Sequence, residues 1–334
     1  MFKKEFFGTA PSGDAVTLYT VGNDKCELTV SDRGATVVSF KVFGRDIVGG
    51  FDSLDSYLAD DSHQGGTIGR VANRIAGARF VMDGAEYTLP DNDGGNCLHG
   101  GCGFDTRMWS LLLHTDERLV FSYVSKDGEE GFPAELDVKV SFSVIDTSLV
   151  IEYTAVPDGK TPIALTNHSY FNLDGFGGDI KDHAAVIYAD RYTEVGEDLI
   201  PTGERPPVKG TRFDFTEPHR IGERIGGDFI GYDHNFLLSP KEYKEFSGRS
   251  AALAAEVWSA DLKLCVYTDQ PGVQFYIGNF LGGGPNFKGN ISQVRHGAFC
   301  LETQTEPNCI NHGEAFYDEG EIYRHICVYS VEKM

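Results

Sequence analysis

The chain predicts an all-β protein, mainly antiparallel, built as a large β-sandwich of two twisted sheets. Three observations carry this reading. The first is strict alternation. Leu136, Val138, Val140, Phe142 and Val144 are apolar, and polar Asp137, Lys139, Ser141 and Ser143 separate them. That is the period-two pattern of a half-buried antiparallel strand. The second is punctuation by the turn dipeptides Asp83-Gly84, Asp127-Gly128 and Asp158-Gly159. The third is composition: 40 Gly, 23 Phe and 15 Tyr in 334 residues favour turns and aromatic-rich strands over long helices.

The elements follow in chain order. Leu28 and Val30 mark an early strand, and Leu54 to Leu58 a short helical pattern. Leu119, Phe121 and Tyr123 alternate in the same way as Leu136 to Val144. Leu149, Ile151 and Tyr153 then repeat the pattern after the turn Asp146-Thr147-Ser148, so the two segments predict a hairpin. Further helical patterns lie near Glu217 to Arg224 and over Pro240 to Phe246. Gly94-Gly95, Gly100-Gly101 and Gly282-Gly283-Gly284 read as loops between strands. The chain shows neither a Pro- or Ser-rich linker nor an internal repeat, so residues 1–334 are expected to form a single domain.

Charge and cysteine usage narrow the function. A formal net charge of −21 repels nucleic acid and anionic membrane surfaces, and it suits a neutral small-molecule ligand. Nothing approaches a membrane span. Met1 to Gly8 has basic residues without the apolar run of a signal peptide, so a cytoplasmic location is expected. The seven cysteines are odd in number and include no Cys-x-x-Cys, which points to reduced, mostly buried thiols. Sequons occur at Asn167 and Asn290.

Two polar clusters stand out against the strands. One is Asn167-His168-Ser169-Tyr170-Phe171-Asn172, the other Leu301-Glu302-Thr303-Gln304 with Pro307 and Asn311. Amide and hydroxyl neighbours can fix the tautomer of His168. Folding that brings His168 to Glu302 would place an acid and a base on one substrate. His99 precedes Gly100-Gly101, glycines that let backbone approach a ligand. Gly69 to Ile75 offers Arg70, Asn73 and Arg74, and an arginine fork suits vicinal hydroxyls as well as carboxylates. Asp233 lies between the aromatics Tyr232 and Phe236, as in many carbohydrate sites. Taken singly, each string has a plain structural reading: a hydrogen-bonded turn, a tight turn, a salt-bridged strand end. His63, His114, His183, His219 and His325 have no neighbours that raise them above that reading. The chain carries no metalloprotease, Walker, nucleophile-elbow or dinucleotide motif, so neither a metal nor another cofactor is expected.

The strings in sequence resemble the aldose 1-epimerase family, also called galactose mutarotases. The resemblance runs over most of the chain: Gly69 to Arg74 with Phe80, Asp83-Gly84 and Leu89; Leu98 to Gly101 with Gly103-Phe104 and Trp109; Asp127 to Pro133; and Thr166 to Leu173. It continues with Leu199 to Glu204, Gly210-Thr211 with Phe213 to Phe215, Tyr232 to Phe236, Pro271 to Gln274 with Gly278 to Phe280, and Glu302 to Gln304 with Pro307 and Asn311. It implies a supersandwich of the galactose mutarotase type and interconversion of the anomers of a free aldose. It also implies Glu302 as general base and His168 as general acid, with Asn73, Arg74, His99, Asp233 and Gln274 holding sugar hydroxyls. Monomer and homodimer are both compatible with it. Ser62-His63-Gln64-Gly65-Gly66 departs from the family, which often has an aromatic and a small residue there. Two alternatives share the fold: a hexose-6-phosphate epimerase, which needs a cationic pocket, and a non-catalytic sugar-binding module.

Overall fold

The computed structural model describes residues 1–334. Antiparallel strands dominate, in three main sheets of five, ten and four strands. The ten-stranded sheet is built around the expected hairpin. Leu136–Ile145 pairs with Ser148–Pro157 in continuous register from Leu136 opposite Pro157 to Ile145 opposite Ser148. Arg118–Ser125 flanks it on one side and the last strand, Tyr323–Lys333, on the other. The five-stranded sheet runs in chain order from Lys3–Thr9 to Arg45–Asp46.

One apolar cluster joins all three sheets. Leu28, Val30 and Phe40 enter it from the five-stranded sheet. Val138, Val140, Phe142, Leu264 and Val266 enter from the ten-stranded sheet, and Phe236, Val273, Phe275 and Leu301 from the four-stranded one. Burying side chains of this size contributes about 1.5–3 kcal/mol each. The Tyr329 hydroxyl adds a cross-layer bond, donating to the Leu301 carbonyl at 3.0 Å. This interior faces one side of the four-stranded sheet, which leaves the other side free to carry polar groups.

Two of the three helical patterns come out differently. Leu54–Ala59 is the single α-helix, capped by the Ser53 side chain, which accepts from the Ser56 amide. His219–Arg220 instead pairs at the sheet edge, and only Ile221–Arg224 coils, as one 3-10 turn. Tyr243–Phe246 is a strand paired with Arg249–Trp258. Ser247 and Gly248 both have positive φ (52° and 78°), the requirement of a tight two-residue hairpin turn. That turn chemistry, with burial of Phe246 in an outer cluster, outweighs the apolar spacing.

Six cysteines are buried and unpaired, and Cys102 is exposed. Asn167 is also buried, donating to the Gly65 and Gly66 carbonyls, so a glycan there is incompatible with this fold. No helix is long and apolar enough to cross a membrane.

Candidate active site

The four-stranded sheet sorts its side chains by the two-residue period of a strand. Asp233–Leu238, Gly272–Tyr276 and Cys300–Gln304 pair with Asp233 opposite Tyr276, Asn235 opposite Gln274, and Gln274 opposite Glu302. Phe236, Val273, Phe275 and Leu301 therefore face the core, while Asp233, Gln274, Tyr276, Cys300 and Glu302 share the opposite face. Tyr232 and Phe236 are core residues, not a sugar platform. The aromatics that do line the cavity are Tyr170, Tyr276 and Phe280.

His168 arrives from the next layer. Thr166–Asn167 pairs with Thr67–Ile68, and the Thr166 hydroxyl donates to the Thr303 carbonyl at 2.9 Å. The backbone of His168 is bonded at both ends, its amide to Gly66 and its carbonyl from Gly65. This brings His168 Nε2 to 3.7 Å from Glu302 Oε1. That is beyond the usual hydrogen-bond range of about 2.7–3.2 Å. Two oxygens carried on one carbon can bridge such a gap, one to each group.

Arg74 and His99 come from a small ladder, Arg74–Ile75 against Cys97–Leu98. Each strand is flanked by a residue in the left-handed region, Asn73 (φ 61°) and His99 (φ 54°). Asparagine and histidine tolerate that region better than most residues. The two residues lock each other: the His99 amide donates to the Asn73 carbonyl, and the Asn73 amide to His99 Nδ1 at 3.2 Å. Gly100 serves packing rather than ligand approach. A Cβ there would lie 2.4 Å from the Gly69 carbonyl oxygen.

The cavity these elements enclose measures about 570 Å³. Arg70 is buried away from it, donating to the Pro133 and Ala134 carbonyls, whereas Asn73, Arg74, His99, His168, Asp233 and Glu302 line it, six of the seven residues that the family resemblance assigns to the site. Gln274 stands behind them, donating from Nε2 to Asp233 Oδ1 at 2.7 Å. It orients the carboxylate and forms no part of the wall. Arg74 donates from Nε to Asp93 Oδ2 at 2.6 Å, which holds the guanidinium fork toward the cavity. His63 also lines the wall, although its sequence neighbours gave no sign of it.

Burial controls protonation here. Desolvation raises Glu302 well above the ordinary carboxylate value, with Asp233 adding and Arg74 opposing. Desolvation also lowers His168 to about 3, with the neighbouring His63 charge adding. Mutual attraction would keep both groups charged, but burial outweighs it. The pair holds a single proton in either form, and burial favours the neutral arrangement with that proton on Glu302. His99 is pushed well below the ordinary histidine value by desolvation, then by the charges of His63, His168 and Arg74. Because Nδ1 accepts from Asn73, the proton of its neutral ring sits on Nε2.

His99, His168 and Glu302 place their ligand atoms within 4.8 Å of one another, a donor set that also suits a divalent metal. The His99 tautomer favours an oxygen ligand, since it directs an N–H rather than a lone pair toward the site. A buried carboxylate and imidazole facing across a gap, with fixed donors and acceptors around them, are the equipment of an acid–base enzyme acting on a polyhydroxylated molecule.

The family model for aldose 1-epimerase matches residues 17–330. A galactose mutarotase of Rattus norvegicus is 43% identical over 333 residues, covering 96% of this chain and 95% of its own. An aldose 1-epimerase of Escherichia coli (strain K12) is 38% identical over 344 residues, covering 96% of each. Among solved structures, galactose 1-epimerase from Lactobacillus acidophilus NCFM superposes with a TM-score of 0.87 at 26% identity, covering 100% of this chain and 99% of that one. The chain belongs to the aldose 1-epimerase family.

Proposed function

We propose that this protein interconverts the α and β anomers of free hexoses such as galactose and glucose, with Glu302 as general base and His168 as general acid. It is a carbohydrate isomerase. The observation that supports the residue roles is the 3.7 Å gap between His168 Nε2 and Glu302 Oε1 on the cavity wall. Glu302 takes the proton of the hydroxyl on C1, and those O–H electrons form the aldehyde C=O. The C1–O5 bond breaks, and O5 takes a proton from His168. Rotation about C1–C2 exposes the other face, and ring closure returns both protons. After opening, Glu302 is protonated and His168 neutral, the arrangement that burial favours. The cavity thus stabilises the protonation state that accompanies the open chain.

The test is polarimetry of freshly dissolved α-D-galactose and α-D-glucose, with spontaneous mutarotation subtracted from each trace. Glucose 6-phosphate is the informative competitor. A phosphate adds about −1.5 to −2 charge, and Asp61, Asp93, Glu197, Asp198 and Asp233 line the cavity. Free aldoses should be turned over faster than the phosphate. The reverse order would assign the chain to hexose-6-phosphate chemistry, and no acceleration of any sugar would leave a binding module. Buried unpaired thiols and a buried Asn167 support a cytoplasmic location.

Asp233 is assigned to hydroxyls remote from C1. A hydrogen bond to a charged group contributes about 1.5–3 kcal/mol, so Asp233→Ala should raise KM roughly 10- to 100-fold. Asp233 also helps to lift Glu302, so kcat should change as well, but less. An unchanged KM would remove Asp233 from the sugar contacts.

A further inference from the structure

His63 departs from the plain surface or core role that its sequence neighbours suggest. Its Nδ1 lies 2.7 Å from Asp105 Oδ2. Its ring sits 4.7 Å from that of His99 and 6.0 Å from that of His168, centroid to centroid. Asp105 is nearly buried, with its side chain 10% exposed, and its second oxygen has no partner. The pair is held from both sides. His63 is in the left-handed region at φ 57°, in a loop where Asp60 accepts from the Ser62 amide and hydroxyl. Opposite it, a Cβ on Gly66 would lie 2.6 Å from Asp105 Cβ. Any side chain at Gly66 would push the carboxylate away from the ring. His63 Nε2 has no protein partner, and the residue lines the same wall as His99 and His168.

We propose that His63, oriented by Asp105, is a third imidazole of the site. It donates from Nε2 to a sugar oxygen near the one His168 serves, and so sets substrate affinity. This rests on the epimerase reading. It places a substrate contact in Ser62 to Gly66, a stretch that differs from the family's usual pattern.

The charge state supports the donor role. Burial opposes a charge on His63, but the hydrogen bond and charge of Asp105, with Asp60 and Asp61 adding, outweigh it and raise its pKa. The other ionisable groups around the dyad are His99 and His168 at the cavity and Arg33 beside Asp105. A carboxylate bound to Nδ1 fixes the tautomer and the ring plane. Neutral His63 keeps its one proton on Nδ1 for Asp105, which leaves Nε2 an acceptor, so donation to the sugar belongs to the cation, in which both nitrogens donate.

The test compares wild type, His63→Phe, His63→Gln and Asp105→Asn by mutarotation and by calorimetric titration with galactose. His63→Phe keeps the ring contacts but removes both nitrogens. Its KM and Kd should rise about tenfold, as for a lost charge-assisted hydrogen bond, with a smaller change in kcat. Wild-type KM should rise on the alkaline side as His63 loses its charge. Asp105→Asn should move that rise to lower pH, and His63→Phe should abolish it. His63→Gln, a neutral donor, should recover part of the affinity without the pH step. A purely structural His63 would not shift the pH dependence. Folded His63→Phe with wild-type Kd and wild-type pH dependence overturns the proposal, whether or not Asp105→Asn folds. Galactose binding without turnover in the wild type would instead overturn the epimerase reading, and the affinity series would still judge His63. No galactose binding at all overturns both.

Discussion

Glu302→Gln should lower kcat by about 10²–10⁴, the usual contribution of one positioned proton transfer. Glutamine keeps the size and one acceptor oxygen but cannot take the anomeric proton. The variant should also melt at higher temperature than wild type near neutral pH. Glu302 is raised in the folded state, so the native protein binds more protons than the unfolded one. Its stabilising effect is complete below the ordinary carboxylate value of 4.5 and is lost as pH rises through the raised value. Glutamine, always neutral, escapes that loss. Loss of activity with gain of stability is the signature of a catalytic carboxylate held in an unfavourable place. Polarimetry and thermal melts at neutral pH check both halves. Near-native mutarotation in this variant would show that another group is the base.

Much of this was legible in the sequence, for physical reasons that can be assigned residue by residue. The Leu136 to Tyr153 hairpin was readable because period two and a short turn are local signals. The six wall residues were reachable through polar strings in the order of a known family. Three things were not readable in that way. The Pro240 to Phe246 segment had helical spacing, and the Ser247-Gly248 turn that overrode it lies just outside it. Tyr232 and Phe236 flank Asp233 in sequence as a platform would, whereas alternation in Asp233–Leu238 turns Phe236 into the core once Asp233 faces the cavity. Counting the same period through Val273 to Tyr276 would have placed Gln274 and Tyr276 together on the site face. His63 is the clearest case. Its partner Asp105 is 42 residues away, and no local pattern links a loop histidine to an aspartate in a 3-10 turn.

Protonation was also beyond the sequence, because it depends on solvent exclusion rather than on residue type. Attraction between a carboxylate and an imidazole argues for an ion pair. Burial of both argues for the neutral arrangement, and here burial wins. The total proton count of the pair is the same either way, so in the proposed mechanism the site passes from one arrangement to the other by moving a proton through the sugar. That property sets the second large prediction.

His168→Asn should reduce kcat by about 10²–10⁴ while leaving KM much closer to wild type. Asparagine can hydrogen-bond O5 in both the ground and transition states, so uniform binding largely survives, but it cannot deliver the proton. The pH profile separates this residue from its neighbours. Wild-type kcat should be flat across neutral pH. The acid limb appears only when the pair takes up a second proton, which burial and the His63 charge defer to well below the ordinary histidine value. The alkaline limb appears when the pair loses its one proton, which burial of Glu302 defers upward. In His168→Asn, Glu302 becomes a lone base, and residual kcat should rise with pH as it deprotonates, turning the plateau into a slope. Progress curves for galactose from mildly acidic to alkaline pH decide it. A plateau that persists at near-native height in His168→Asn would transfer the acid role to another donor, and His99, whose Nε2 already carries a proton toward the same cavity, would be the next residue to replace.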